Sequence, residues 1–150
     1  MKVGGVQITK CEEVLVLPRP SGDLVFKAVA VDIADEFISK CSLPVAPMVI
    51  TKNGKEFDYS DSNYKQAMAI RDARRFALLA IRSLEPSNIE WEAVDYDKPG
   101  TWEKWSDELK EAGLSEVELN RIVATIMAAN SLDEEKIAKA RADFLRGQGQ

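Results

Sequence analysis

The sequence Phe76-Ala77-Leu78-Leu79-Ala80-Ile81 is apolar at every position, and it decides which part of the chain forms the core. It belongs to a helical pattern that runs from about Ser62 to Leu84 and ends before Pro86, because proline disfavours helix in the residue that precedes it. Apolar residues recur along this pattern at helical spacing: Ile70, Ala73, Ala77, Ile81 and Leu84. A helix that is apolar all round is buried. The second half of this segment is therefore predicted to be the central buried helix.

Three shorter helices are predicted after the central one. Thr101 is predicted to cap the first, and Gly113 to close it. The inward face of this helix would carry Trp102, Trp105, Leu109 and Ala112.

Two capping boxes, in which a side chain at the helix start and one three residues later bond each other's backbone N–H, predict the next two helices. Ser115 and Glu118 form the first box, and Ser131 and Glu134 repeat the pattern. The first of these helices would bury Leu119, Ile122, Val123, Ile126 and Met127. The second would bury Ile137, Ala140 and Phe144.

Residues 1 to about 60 carry strand signals instead. Val14–Leu17 ends at a proline- and glycine-containing loop, and residues 24–31 then alternate with period two, which predicts an antiparallel hairpin. Asn53-Gly54 predicts a second hairpin with arms over 48–52 and 55–59 and Ile50 paired with Phe57, because both turn residues tolerate the positive φ of a type I′ turn. Between the hairpins, Asp32 is predicted to cap a short helix over 33–41.

The composition is that of a folded domain. The 150 residues are 45% hydrophobic and 30% charged, with a net charge of −5, which suits one domain with a substantial core. We predict a single α+β domain over residues 1–150, in which N-terminal β-hairpins (1–60) pack on a C-terminal bundle of about four helices (61–146), followed by a loose tail (147–150). The central helix and the last three helices are predicted to build the core.

Several environments are disfavoured by the sequence. No window approaches eighteen apolar residues, and the first residues lead into no apolar stretch, so neither a membrane span nor a secretory signal is predicted. Cys11 and Cys41 lie far apart in no metal-binding pattern, which favours reduced thiols in the cytoplasm. The net acidity disfavours nucleic-acid binding driven by phosphate attraction.

The common catalytic patterns are missing. The sequence contains no histidine, which removes the usual general base and the usual zinc sites. It also lacks the glycine-rich loops that hold nucleotide phosphates. Ser62-Asn63-Tyr64-Lys65 matches the Ser-x-x-Lys pattern of serine acyl enzymes, but no partner motif follows, and a plain helix start is the preferred interpretation. We therefore predict no enzymatic activity, no cofactor and no metal ion.

Residues 85–118 combine negative charge with tryptophan. They contain eleven acidic residues, three lysines and all three tryptophans of the chain. Aromatic anchors on an acidic surface are typical of interaction faces, although Trp102 and Trp105 also suit a helix face turned toward the core. We expect those two in the core and predict a protein-binding site at Trp91 and the acidic loop Asp95-Tyr96-Asp97.

A row of arginines lies on the central helix. Its members are Arg71, Arg74, Arg75 and Arg82, and the spacing of 71, 75 and 82 places these three on one face. The row suits either a nucleic-acid patch or ion pairs with the acidic 85–118 segment. Ion pairs are the preferred interpretation.

Several segments resemble proteins of tailed bacteriophages. They are Glu13–Arg19, Ser83–Trp91, Thr101–Trp105, Glu108–Gly113 and Phe144–Gln148. In size, acidity and helical body the chain is similar to the tail assembly chaperones of long-tailed phages. The resemblance implies a non-enzymatic protein without cofactor that binds the tape measure and tail tube proteins in the host cell cytoplasm during virion morphogenesis.

Two other functions stay open at this point. One is an acidic phage protein that binds or inhibits a host factor, and the other is a minor structural protein of the virion. The resemblance places no binding residue by position, and the sequence does not determine the oligomeric state.

Overall fold

The computed structural model describes residues 1–148 and has an α+β fold, which confirms the predicted class. The strands are β1 (Lys2–Val3), β2 (Val6–Gln7), β3 (Glu12–Leu17), β4 (Leu24–Val29), β5 (Met48–Thr51) and β6 (Gly54–Phe57). The helices are α1 (Ala34–Lys40), α2 (Ser62–Ser83), α3 (Trp105–Glu111), α4 (Glu116–Ala129) and α5 (Glu134–Gln148). Two 3₁₀ segments, Glu85–Ser87 and Pro99–Lys104, lie between α2 and α3.

The first predicted hairpin forms and packs against the helices. β3 pairs antiparallel with β4, with Leu17 opposite Leu24. Phe26 and Ala28 are buried on one face, as the period-two alternation requires, and β3 lies against α4. The Ser87 hydroxyl accepts from the Lys27 N–H at 2.8 Å and donates to the Lys27 C=O at 2.9 Å. The hairpin is thus held between α4 and the segment that follows α2.

The second predicted hairpin forms with a different register. The prediction that Ile50 pairs with Phe57 is wrong, because Met48 lies opposite Phe57 and Ile50 lies opposite Lys55. Gly54 has φ of 101° while Asn53 keeps a negative φ. A type I′ turn needs positive φ at both central residues, whereas a three-residue loop with a bulged glycine needs it only at the glycine. Gly54 therefore begins β6, and the turn lies at residues 52–53, one residue earlier than predicted.

Of the three strand pairs in the described chain, only β3–β4 packs on the helices. The prediction that the N-terminal hairpins pack on the helices therefore holds for this pair. Every residue of β5 and β6 is exposed, and so is every residue of β1 and β2, a strand pair that the sequence did not predict. Two-stranded pairs without a covering layer present an apolar surface to the outside. Ile50, for example, is 85% exposed.

Aspartate side chains accept backbone N–H groups at the starts of α1 and α2. The predicted cap at Asp32 is displaced, because α1 begins one residue later than expected and Ile33 is its N-cap; the Asp32 carboxylate still accepts from the Ala34 N–H at 3.1 Å. Asp61 caps α2 by accepting from the Tyr64 N–H at 2.9 Å. Of the predicted α2 stripe, Ile70 and Ala73 are exposed, so α2 enters the core only from Phe76 onward.

The α3–α4 corner follows the predicted cap chemistry. Residues 99–104 form a 3₁₀ segment rather than the predicted start of α3, since the Thr101 hydroxyl bonds backward to the Lys98 C=O at 2.7 Å. Gly113 closes α3 with φ of 120°, and the Leu114 N–H returns to the Leu109 C=O at 3.1 Å. The Ser115–Glu118 capping box is present in full.

The second predicted capping box does not form. Ser131 has φ of 57°, its N–H bonds to the Ala128 C=O at 3.2 Å, and the Leu132 N–H bonds to the Met127 C=O at 2.8 Å. This is the hydrogen-bond pattern that ends a helix with a left-handed residue, so Ser131 closes α4 instead of opening α5. The Asp133 carboxylate takes the opening position and accepts from the Lys136 N–H at 3.2 Å.

The last helix contributes nothing to the core, which corrects the prediction that the last three helices all help to build it. No residue of α5 is buried, and Ile137 and Phe144 are 46% and 63% exposed. A salt bridge of 2.6 Å from Lys136 to Glu13 joins α5 to β3. The helix continues to Gln148, beyond the predicted stop at residue 146, and the remaining predicted tail residues, Gly149 and Gln150, lie outside the described residues.

The core lies between α2, α3, α4 and the β3–β4 hairpin. Its fully buried large side chains include Leu78, Ile81, Trp102, Ile122 and Ile126. The predicted central role of residues 76–81 is confirmed, since four of the six are buried and the other two are partly buried against the core. The strand residues Leu17, Phe26 and Ala28 occupy the place that was predicted for α5.

A polar cluster joins α2, α4 and the end of β4 inside this core. The Ser83 hydroxyl donates to the Val29 C=O at 2.8 Å and accepts from the Asn130 amide at 3.2 Å. The same amide group also accepts from the Val31 N–H at 3.1 Å and donates to the Ile126 C=O at 2.9 Å. We call Ser83 and Asn130 the polar clamp, because they satisfy backbone groups of the strand end that would otherwise lack partners.

Candidate functional site

The chain turns sharply after α2 and places Trp91 at the edge of the core. Asn88 adopts the left-handed conformation with φ of 55°, which asparagine tolerates better than most residues. The next ten residues have no regular secondary structure. Trp91 lies in this irregular segment, where it is partly buried and packed against the core. By contrast, Trp102 and Trp105 are 0% and 5% exposed, as predicted for core residues.

A groove of about 450 Å³ lies between the irregular segment and α3. Ile89, Trp91 and Leu109 contribute its apolar surface. Four carboxylates line the same groove: Glu90, Glu92, Glu108 and Glu111. We call this feature the Trp91 groove.

Glu108 fixes the shape of the groove. One of its carboxylate oxygens accepts from the Glu92 N–H and, at 3.0 Å, from the Ala93 N–H. Its other oxygen is buried and has no hydrogen-bond partner within residues 1–148. Buried polar atoms are nearly always paired. Among the described residues, Glu108 thus keeps one buried acceptor oxygen without a partner in the wall of the groove.

The acidic loop that was predicted together with Trp91 is held by its own backbone hydrogen bonds. The Asp97 N–H donates to the Asp95 carboxylate at 2.9 Å, and the Asp95 N–H donates to the Thr101 hydroxyl at 2.9 Å. The Tyr96 C=O accepts from the Trp102 indole N–H at 3.2 Å. None of Asp95, Tyr96 and Asp97 lines the Trp91 groove.

The Tyr96 side chain is part of the packed interior. Its hydroxyl donates to the Ile81 C=O at 3.3 Å, and the Arg82 guanidinium lies 4.3 Å from its ring centre. Burial raises the pKa of the Tyr96 phenol, and the nearby Glu85 carboxylate adds to the rise. The nearby Trp91 indole opposes this rise, so the predicted site residues Trp91 and Tyr96 are neighbours.

The sequence did not predict that glutamates of α3 would surround Trp91. Glu108 and Glu111 lie three residues apart and therefore share one face of α3. That spacing was the one sequence signal that could have indicated an acidic face on α3. Their approach to residues 89–92 depends on the fold of the connecting segment, which no local pattern encodes.

The predicted ion pairs of the arginine row are confirmed at two positions. Arg74 bonds Glu103 at 2.8 Å, and Arg82 bonds both Glu85 and Glu36. Glu36 on α1 is a partner that the sequence did not indicate. Its two oxygens accept from Arg82 at 2.9 and 2.6 Å, a two-pronged geometry that strengthens the pair.

The Glu36–Arg82 pair predicts a pH-dependent stability. The hydrogen bonds from Arg82 lower the pKa of Glu36 from 4.5 to about 2. A carboxyl pKa that is lowered by folding adds stability above the unfolded value, and that stability is lost as the pH falls through the folded value. The free energy of unfolding of Glu36→Gln is therefore expected to lie below that of the original protein at neutral pH, and the gap is expected to close as the pH falls from 4.5 toward 2.

Denaturant unfolding at several pH values measures this gap. Glu134→Gln is the matched control, since Glu134 is exposed on α5 and has no salt bridge within residues 1–148. The Arg19–Glu118 pair is present in all three proteins, so its own titration cancels in the comparison. A gap for Glu36→Gln that stays constant over this pH range would contradict the prediction.

No family model, curated protein or solved structure matches this chain. The geometry of its own residues therefore carries the functional argument. Within residues 1–148, no group of three or more cysteine, aspartate and glutamate side chains is arranged to hold a metal ion, and no helix is long and apolar enough to cross a membrane. Ser62 and Lys65 are both exposed in the first turn of α2.

Proposed function

We propose that the chain is a non-enzymatic protein-binding protein that acts as a tail assembly chaperone of a tailed bacteriophage in the cytoplasm of the host cell. The observation that carries the proposal is the Trp91 groove, which combines an apolar surface with four carboxylates. The phage-like segments of the sequence supply the biological setting. The proposed partners are the tape measure and tail tube proteins.

The chemistry of the groove defines the segment that it binds. An indole offers a large contact area at a small cost in conformational entropy, which is why tryptophan is frequent among the residues that dominate binding energy. The surrounding carboxylates favour lysine and arginine and accelerate the approach of a basic partner. The partner segment therefore carries apolar side chains flanked by basic ones.

Other exposed apolar surfaces support a binding role. The two strand pairs that lie outside the core expose Val3, Val6, Met48, Ile50 and Phe57. The last helix exposes Ile137, Phe144 and Leu145. Extended apolar patches are uncommon on monomeric proteins and mark interaction surfaces. A protein that shields other chains during assembly has a use for several such surfaces.

Trp91→Ala is expected to weaken partner binding while leaving the fold intact. Loss of a central aromatic anchor costs about 2 kcal/mol, which corresponds to roughly a 30-fold rise in Kd. Calorimetry with the purified tape measure and tail tube proteins of the same phage measures the affinity, and thermal unfolding measures the fold. Ile38→Ala is the control, because Ile38 is exposed on α1, outside the groove and outside the apolar surfaces named above. Equal affinities of the two variants would contradict the groove as the binding site.

The charge of the groove is tested separately. Glu90→Lys combined with Glu111→Lys reverses two exposed charges of the groove, and Asp23→Lys combined with Asp72→Lys reverses two exposed charges elsewhere. Only the first pair is expected to reduce the association rate and its dependence on salt, because screening acts on the charges that face the partner. If neither the tape measure nor the tail tube protein binds the original chain, the proposed chaperone role is wrong.

A further inference from the structure

Arg71 differs from the other arginines that line the interface between α1 and α2. Its side chain has no hydrogen bond or salt bridge within residues 1–148, whereas Arg74 and Arg82 both hold carboxylates. Its Nε atom is buried and unpaired. The guanidinium is held in place by the Phe37 ring, 4.6 Å from the ring centre. Arg71 is thus a fixed cation without a counter-charge.

Arg71 lines a pocket of about 390 Å³ together with other basic groups. Lys40 at the end of α1 and Arg74, one turn further along α2, line the same pocket, and the Cys41 thiol contributes to its wall. Burial raises the pKa of the Cys41 thiol, while the positive charges of Arg74, Arg71 and Lys40 oppose the rise. The three cations therefore act on the same small volume.

We propose that this pocket binds a phosphate-type oxyanion, with Arg71 as its principal ligand and Arg74 as a second. A guanidinium presents parallel N–H donors that match two oxygens of an oxyanion, and the Arg71 guanidinium lies 4.6 Å from the Phe37 ring centre without a carboxylate partner among the described residues. A tetrahedral phosphate also offers oxygens in further directions, so a second arginine on the same helix face can contact it. Arg74 is kept in position for this by its 2.8 Å bond to Glu103.

The pocket is distinct from the Trp91 groove in charge and in lining residues. The groove is acidic and lies between residues 89–92 and α3, whereas the pocket is basic and lies between α1 and α2. Phosphate binding is therefore independent of the proposed chaperone function. An oxyanion site of this kind would not be expected from the net negative charge of the chain.

Titration with inorganic phosphate at constant ionic strength, with chloride as the balancing anion, tests the proposal. Saturable heat of binding is expected for the original protein, with Arg71→Gln weakening the phosphate affinity at least tenfold. Arg75→Gln is the matched control, since Arg75 is exposed on the same helix and does not line this pocket. Binding that does not saturate, or that both variants reduce equally, would overturn the proposal.

A second measurement uses only the original protein, so it does not depend on whether a variant folds. Phosphate is expected to slow the alkylation of Cys41 in the original protein, because the thiol lines the proposed site. Cys11 is the internal control, since it is the other free thiol and lies elsewhere. Mass spectrometry of the alkylated peptides separates the two rates. Equal rates for Cys41 in phosphate and in chloride would show that phosphate does not enter the pocket.

Discussion

Replacing Ile81 or Ile126 by alanine is expected to lower the free energy of unfolding by about 2–5 kcal/mol at each position. Both side chains are 0% exposed and lie in the contact between α2, α4 and the β3–β4 hairpin. The loss has two parts, because the removed methyl groups lose their burial and the surrounding side chains fill the cavity only partly. Denaturant-induced unfolding of the three proteins measures the difference.

Ile137→Ala is the matched control for these two substitutions. It removes the same atoms from α5, where Ile137 is 46% exposed and no residue of the helix is buried. We expect a loss of less than about 0.5 kcal/mol, the usual range for surface positions. A loss at Ile137 that equals the loss at Ile81 would show that α5 packs on the core in solution.

Asn130→Ala is expected to cost about 2–3 kcal/mol, because it leaves polar groups of the clamp without partners. The Val31 N–H loses its acceptor, and the Ser83 hydroxyl loses a donor. An unpaired polar group near the core costs more than a hydrogen bond contributes. Asn120→Ala on the exposed face of α4 is the control, and we expect it to change the stability little.

A double-mutant cycle separates the clamp from its individual members. Ser83→Ala, Asn130→Ala and the combined variant are compared with the original protein. Residues that share a hydrogen-bond network usually show a coupling energy of about 0.5–3 kcal/mol. Additive losses would contradict the view that Ser83 and Asn130 act as one unit.

The parts of the fold that the sequence predicted depend on local chemistry. The capping box at Ser115 and the left-handed closure at Gly113 require only residues within one or two helical turns, so their patterns are decisive. The hairpin of β3 and β4 was predictable because its alternation matches a surface with one buried face. The apolar run at 76–81 leaves no exposed face for a helix, and it is indeed central.

The errors arose where a local pattern fits two outcomes. The stripe of Ile137, Ala140 and Phe144 suits a helix that packs on a core as well as one that awaits a partner, and only the fold shows that β3 and β4 occupy the place beside α4. Ser131 can open a helix or close one, and the backbone at the end of α4 decides between them. Asn53-Gly54 likewise allows two turns that differ by one residue in register.

Of the four residues predicted for the site, Trp91 alone lines the groove. Trp91 lies outside the regular helices and is the most exposed of the three tryptophans, as expected from its position in an irregular segment. The carboxylates of the predicted loop, Asp95 and Asp97, do not line the groove, whereas Glu90 and Glu92, which flank Trp91 in sequence, do. Glu108 bonds the backbone of Glu92 and Ala93 because α3 lies along residues 89–92, and a contact between distant segments has no local signature.

The position of β3 between β4 and α4 has a consequence for synthesis on the ribosome. β3 and β4 are complete when Val29 has been added, but α4 begins only at Glu116. At about 5–20 residues per second, the roughly 90 residues between them take about 5–20 s to translate. During this interval the apolar face of β3, including Leu17, lacks its helical cover. The nascent chain is therefore most exposed to aggregation before its second half has been made.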